Sequence, residues 1–108
     1  MESFIEEKDG DEIIYKLVVD GSVVSSARTL PYSLLLNIHT RQSEQRKGYG
    51  RKLLGHIEKI AITHNVAIMQ TTNIDPFDSK AVSFFDSMKY NLKFMKEDTD
   101  FLAGTKIF

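Results

Sequence analysis

The sequence predicts an α+β fold in which two helices accompany one mixed β-sheet. Segments of alternating apolar and polar residues dominate the N-terminal part of the chain, which indicates successive strands. A helical pattern follows a basic loop with two glycines, and another strand-like run follows that helix. A second helical pattern and two closing strand-like runs complete the chain. The expected order is therefore strands, helix, strand, helix and hairpin.

Four strands are expected before the glycine loop, at Phe4 to Glu7, Glu12 to Val19, Ser22 to Leu30 and Leu34 to Thr40. Asp20 and Gly21 are a strong hairpin signal, because both residues tolerate positive φ. The four strands should form an antiparallel meander. Alternation in the fourth strand predicts one face with Leu34, Leu36, Ile38 and Thr40, and the other with Leu35, Asn37 and His39.

The first helix is expected from about Gly50 to His64, where apolar residues recur at helical spacing. Asn65 is suited to a left-handed cap at its end, and Val66 to Thr71 predict the next strand. Because a strand, a helix and a strand form a crossover unit, the two strands should lie parallel or splayed side by side.

The second helix is expected to start at Asp75 and Pro76, since aspartate caps helices well and proline suits the first turn. Its apolar face extends to about Lys89. Leu92 to Lys96 and Phe101 to Phe108 then predict a closing hairpin around residues 97–100.

Composition limits the classes of protein to consider. A length of 108 residues predicts one domain over residues 1–108, and the net charge of −1 gives no global attraction for nucleic acid or anionic membranes. The absence of cysteine excludes disulfides, thiolate metal sites and a cysteine nucleophile, and no metal site is predicted. The acidic N-terminus lacks a signal-peptide pattern and no apolar run could span a bilayer, so a soluble cytoplasmic protein without a membrane partner is expected.

A basic loop with two glycines leads into the first helix and is the strongest candidate for a binding site. Gly48 and Gly50 permit a tight turn and a close approach to a ligand. The first N–H groups of the helix lack internal partners and can bind a phosphate. Arg51 and Lys52 oppose the helix dipole there, which is unfavourable unless an anion is bound. A Rossmann or P-loop site fits less well, because there is no third spaced glycine and no Gly-Lys-Ser/Thr.

Two motifs resemble the GNAT N-acetyltransferase family. Gln45-Arg46-Lys47-Gly48-Tyr49-Gly50 matches the family's Q/R-x-x-G-x-G/A signature, and the helix from Asp78 to Tyr90 resembles its N-x-x-A-x-x-x-Y-x-x-x-G-F helix. The resemblance covers roughly Glu12 to Phe108 and implies a GNAT-like mixed sheet. It also implies acetyl-CoA as the acetyl donor, with its pyrophosphate on the backbone N–H groups of residues 46–51.

The resemblance implies further site residues. The backbone at Ile38 and Thr40 would polarise the acetyl carbonyl, and His39 is a candidate general base because histidine titrates near neutrality. Asn73 and Ser79 would contact the pantetheine arm, and Phe84 or Phe85 would line its channel. The expected cofactor-binding set is Gln45, Arg46, Lys47, Gly48, Tyr49, Gly50, Arg51, Asn73, Ser79 and Phe85.

The sequence departs from the family pattern in two respects. Phe85 stands where the family has a tyrosine similar to a general acid, while Asp78, Lys89 and Tyr90 replace its asparagine, glycine and final phenylalanine. There is also no room for the two helices that usually follow the first strand. The acceptor side should therefore be open, or completed by a second subunit in a homodimer.

These observations favour an acetyl-CoA-dependent N-acetyltransferase in which a primary amine attacks the thioester directly. The acceptor amine could belong to a peptide, a protein or a small molecule. A catalytically weak or inactive CoA-binding regulatory or interaction module is the alternative, favoured by Phe85. A nucleic-acid-binding module would use the basic loop for backbone phosphates, but the near-neutral net charge argues against it.

Overall fold

The computed structural model describes residues 1–97 and 99–108. In this part of the chain, the strands and helices follow one another in the order that the sequence predicts. Their bounds are β1 Glu2–Asp9, β2 Glu12–Val19, β3 Ser22–Leu30, β4 Leu34–Thr40, α1 Tyr49–Thr63, β5 Ile68–Ile74, α2 Ser79–Ser87, β6 Asn91–Phe94 and β7 Leu102–Ile107.

The strands form one mixed sheet in the order β1-β2-β3-β4-β5-β7-β6. The first four are an antiparallel meander. β4 and β5, which precede and follow α1 in the chain, are parallel neighbours. β5, β7 and β6 pair antiparallel. The predicted α+β class and mixed sheet are confirmed. The described β1 and β2 are joined by residues 10–11 alone, so no helix lies between them.

Some predicted boundaries are wrong. The second helix begins at Ser79, and its cap is Asp78, whose side chain accepts the N–H of Ala81 at 3.1 Å. Asp75 instead accepts the N–H of Phe77 at 2.9 Å, which closes a turn before the helix. The strand predicted from residue 66 begins two residues later and extends to residue 74. In the predicted closing turn, residue 98 lies outside the described residues.

The predicted faces of β4 are correct for residues 37–40 but wrong for the start of the strand, because the strand contains a β-bulge. Arg28 pairs with Asn37 whereas Thr29 pairs with Leu35, which leaves Leu36 as the extra residue. The bulge exchanges the two faces beyond this point. Leu35 therefore shares the helix-covered face with Ile38 and Thr40, opposite buried Ala27 and Ser25 of β3, while His39 lies on the other face.

The core lies between the sheet and the two helices. One buried apolar cluster contains Tyr15 and Leu17 of β2, Leu53 and Leu54 of α1, and Phe85 of α2. Among the described residues, neither helix has both the length and the apolar character needed to cross a membrane.

The sheet splits between β4 and β5. These strands pair only at Leu34 with Gln70 and at Leu35 with Thr71. Beyond that point, residues 36–40 of β4 have no partner on the β5 side. This confirms the expected splayed arrangement and leaves a free strand edge beside the start of α1.

Candidate functional site

A cavity of about 540 Å³ lies where the split in the sheet meets the first turns of both helices. Its lining combines a strand edge, the glycine loop and one face of α2. The lining residues are Ile38, His39, Thr40, Glu44, Gln45, Arg46, Gly48, Tyr49, Gly50, Arg51, Asp78, Lys80, Ala81, Phe84 and Phe85. Ten residues that the sequence assigns to the site are therefore brought together here.

The loop presents unpaired backbone donors to this cavity. Gly48 is the cap residue of α1 with φ of 78°, and no described side chain caps the helix there. Arg46 also has positive φ, at 70°, so the loop turns twice through the left-handed region. The first N–H groups of α1 lack intrahelical partners, and the dipole places partial positive charge on them. An anion is the ligand that this end of the helix favours.

Gly50 is required by packing rather than by its backbone conformation. A Cβ at this position would lie 3.0 Å from Thr40 Oγ1 and 3.3 Å from Phe84 Cε1. The missing side chain therefore allows α1 to approach both β4 and α2. At Gly48, by contrast, a Cβ would meet nothing within 4 Å, and the positive φ is the reason for glycine.

The positive charge of the loop is partly neutralised within the chain. Lys52 Nζ lies 2.8 Å from Glu2 Oε2, so β1 supplies the anion that the sequence assigned to a ligand at this lysine. Lys47 pairs with Glu44 at 2.8 Å, which raises the pKa of Lys47. Arg51 donates to the neutral Ser87 hydroxyl at 2.9 Å. Within residues 1–97 and 99–108, no ion pair involves Arg46 or Arg51.

The free edge of β4 exposes backbone groups to the cavity. Arg41 donates its N–H to Val24 of β3 at 2.9 Å. Because backbone groups alternate along a strand, the N–H groups of Ile38 and Thr40 point away from β3, toward the split. The side-chain amide of Gln45 donates to the Thr40 carbonyl at 3.3 Å and braces the end of this edge.

Hydroxyl groups hold the end of β4 against β3. Ser25 Oγ donates to the His39 carbonyl at 2.9 Å and lies 3.0 Å from Thr40 Oγ1. Since the Ser25 proton is engaged, the Thr40 hydroxyl is the donor in the second bond. The His39 side chain is exposed and lies on the face of β4 opposite Thr40.

Three residues that the sequence assigns to the site do not line the cavity. Lys47 is paired with Glu44, Asn73 is exposed on β5 with φ of 59°, and Ser79 is exposed at the start of α2. Four lining residues were not expected there, namely Glu44, Asp78, Lys80 and Ala81, and Phe84 was expected only as an alternative to Phe85. The capping pattern at Asp78 was the available signal, since it places Lys80 and Ala81 in the first turn of α2.

Phe85 and Tyr90 belong mainly to the core. Phe85 is 6% exposed and packs edge-to-face on Tyr90, with ring centroids 5.5 Å apart. The Tyr90 hydroxyl donates to Glu58 Oε2 at 2.7 Å, and Lys106 donates to Glu58 Oε1 at 2.9 Å. Burial, and then the hydrogen bond to Glu58, raise the pKa of Tyr90. Its proton is therefore held in this network, and Tyr90 does not line the cavity.

The fold and the cavity together define an α+β protein with a basic, glycine-containing loop at the mouth of a split sheet. A family model described as the Acetyltransferase (GNAT) family matches residues 2–90. The chain belongs to this family. No curated protein matched the sequence.

Solved structures share the fold at low sequence identity. PaiA N-acetyltransferase from Thermoplasma acidophilum, solved with coenzyme A, has a TM-score of 0.81 and 16% identity over 91% of this chain. The match spans 62% of that enzyme, less than two thirds of its length.

Two other solved structures have a similar fold. The ribosomal-protein-S18-alanine N-acetyltransferase from Escherichia coli has a TM-score of 0.77 and 19% identity, over 93% of this chain and 71% of that one. A Bacillus anthracis protein described as a streptothricin acetyltransferase, solved with acetyl coenzyme A, has a TM-score of 0.75 and 14% identity, over 91% and 64%.

Proposed function

We propose that this chain is an N-acetyltransferase that binds acetyl-CoA in the 540 Å³ cavity and transfers the acetyl group to a primary amine. Family membership and the fold are consistent with acyl transfer from CoA. The observation that carries the proposal is the free edge of β4, which meets the uncapped start of α1 inside one cavity.

The loop would hold the phosphates of the donor. The N–H groups in the first turn of α1 are available to an anion, and Arg46 and Arg51 add charge beside them. Lys80 lies across the cavity on α2 and can meet a further phosphate. Gln45 braces the Thr40 carbonyl and supports this geometry indirectly.

The strand edge would supply catalysis. The N–H groups of Ile38 and Thr40 face the split and could donate to the acetyl oxygen as negative charge develops on it. The amine nitrogen forms a bond to the carbonyl carbon, the carbon–sulfur bond breaks, and CoA leaves as a thiolate. The proton that the nitrogen loses as the amide forms passes to this thiolate. His39 is the proposed acceptor of the ammonium proton, and bringing both substrates into one site supplies further acceleration.

A CoA-binding regulatory module remains the second candidate function, and one observation favours it. Phe85 has no proton to donate, and the nearby Tyr90 hydroxyl is already bound to Glu58. A protein of this kind would bind acetyl-CoA through the same loop without transferring the acetyl group.

The test is thiol release in the presence of acetyl-CoA and a panel of peptides, polyamines and aminoglycosides, with mass spectrometry of the acceptors. An N-acetyltransferase releases CoA in an amine-dependent manner and leaves an acetylated product. Binding of acetyl-CoA without any product would support the regulatory module, and absence of binding would contradict both functions. A cytoplasmic location, a single domain and a homodimer stay predictions from the sequence.

A further inference from the structure

A second cavity lies on the β3 side of the end of β4. It has a volume of about 210 Å³ and is formed where the start of β3 meets the end of β4. This is below the roughly 300 Å³ at which pockets for drug-sized ligands begin, so its size suits a small molecule or one terminal residue of a peptide. The first cavity lies on the helix-covered face, with Thr40 and Gly50 in its lining.

His39 connects the two cavities. It lines both of them, and its side chain lies on the face opposite Thr40. The two linings share His39 at the end of β4, where the strand has separated from β5. An amine held beside His39 would lie where the linings of the two cavities adjoin.

The second cavity contains one strong positive charge. Arg41 follows His39 by two residues in extended backbone, with φ of −52° and ψ of 135°, and it lies in the lining. Val23 and Val24 supply apolar surface, and Ser26 lies opposite His39 in the strand register. In the part of the chain that the structure describes, no carboxylate lines this cavity and none forms an ion pair with Arg41.

These features favour a carboxylate as the anion that binds in this cavity. A guanidinium group presents paired N–H donors that match a carboxylate in a bidentate arrangement. Among the described residues, the carboxylates that form ion pairs do so with other cations, so the Arg41 guanidinium is available to a ligand. An acceptor with an amine near His39 and a carboxylate near Arg41 would satisfy both groups.

We propose that this second cavity, the acceptor pocket, takes amines that also carry a carboxylate, and that Arg41 pairs with that carboxylate. The inference rests on the proposed acetyl transfer and names its substrate class. Arg41 is thus a specificity-determining residue. Amino acids, and short peptides with a free C-terminus, are the simplest molecules of this class.

The experiment compares acceptors that differ only in the carboxylate. Alanine is compared with alaninamide, and alanyl-alanine with its C-terminal amide, in thiol-release assays at saturating acetyl-CoA. A peptide with an internal aspartate and an amidated C-terminus distinguishes a side-chain carboxylate from a terminal one. We expect kcat/KM to be at least about tenfold higher for acids than for their amides, as for one charge-assisted hydrogen bond.

Substitution of Arg41 tests the source of that preference. Arg41→Gln should raise KM for the acids about tenfold and leave the amides unchanged, and Arg41→Glu should favour the amides. Lys93→Gln removes an exposed charge on β6 and is the matched control. Equal use of acids and amides by the native chain, or an equal loss for both in Arg41→Gln, would overturn the proposal.

A binding measurement separates this inference from the proposed transfer. If no amine is acetylated, the chain saturated with CoA is titrated with alanyl-alanine and with its amide while backbone amide resonances are followed. Acid-specific shifts at Val23, Ser26 and Arg41 that vanish in Arg41→Gln would support the pocket although the transfer function had failed. The same response to acid and amide, or none to either, would reject the pocket.

Discussion

The hydroxyl of Tyr90 donates a hydrogen bond of 2.7 Å to Oε2 of Glu58, a carboxylate that is 7% exposed. The other oxygen of Glu58 accepts from Lys106 at 2.9 Å. The network joins α1, the segment after α2, and β7. Tyr90 is also the tyrosine closest in sequence to Phe85, the position at which the family has a tyrosine.

Tyr90→Phe should therefore act on stability and not on chemistry. Removing the hydroxyl leaves one oxygen of a buried carboxylate without this donor, which should lower the free energy of unfolding by about 1–3 kcal/mol. Chemical denaturation measures that loss. The rate of acetyl transfer per folded molecule should be unchanged, and a selective fall in that rate would instead identify Tyr90 as an acid.

Gly50→Ala should destabilise the chain because of its neighbours. The new methyl group would lie 3.0 Å from Thr40 Oγ1 and 3.3 Å from Phe84 Cε1, so we expect a loss of about 1–3 kcal/mol in denaturant unfolding. Gly55 is the matched control in the same helix, since a Cβ there meets nothing within 4 Å. Gly55→Ala should stabilise the chain by about 0.5–1 kcal/mol. Equal effects would contradict the close approach of α1 to β4.

The stability of the chain should depend on the protonation of His56. Its ring stacks on Phe4, with centroids 4.0 Å apart, and burial lowers the pKa of His56 below the ordinary 6.5. The opposing charges around it are Glu6, which raises this pKa, and Lys59, which lowers it. Because the folded state favours neutral His56, its contribution is complete above pH 6.5 and is lost as the pH falls through the lower folded value.

His56→Phe keeps an aromatic ring on Phe4 but cannot titrate. We expect its unfolding midpoint in denaturant to fall less than that of the native chain between neutral pH and pH 5. Identical pH profiles for the two proteins would show that His56 does not carry this dependence.

His39→Ala should slow acetyl transfer if the histidine accepts the proton of the incoming amine. General acid–base catalysis is worth about a hundredfold or more, and the loss should shrink at high pH, where the acceptor amine is already neutral. His64→Ala is the control. His64 is exposed and lines neither cavity, and its ring stacks on Tyr32 with centroids 3.7 Å apart. An unchanged rate in His39→Ala across the pH range would remove it as the base.

Much of this architecture follows from local patterns in the sequence. Alternation and the Asp20–Gly21 turn predict the meander, and the glycine loop predicts the entry to α1. The bulge at Leu36 could not be inferred from alternation, because one extra residue changes the face without changing the composition. Asp75 and Asp78 are both good caps in sequence, and only the fold decides between them.

Contacts between distant segments could not be read from the sequence. Glu2 pairs with Lys52, and Glu58 joins Tyr90 to Lys106, across long separations in the chain. The acceptor pocket depends on the register of β3 and β4, which brings Arg41 beside Val24. Local residue types do not specify such pairings, which the packing of the whole sheet determines.

Calorimetric titration with acetyl-CoA, of the native chain and of the Arg46→Gln/Arg51→Gln variant, tests whether the 540 Å³ cavity is the donor site. Both arginines line the cavity and neither forms an ion pair within the described residues. We expect binding to weaken at least about tenfold in the variant, a loss of about 1.4 kcal/mol, with unchanged unfolding. Lys93→Gln/Lys96→Gln, which removes two exposed charges outside the cavity, should bind as the native chain does. Equal affinity in the arginine variant, or no binding to the native chain, would contradict the proposal that acetyl-CoA binds in this cavity.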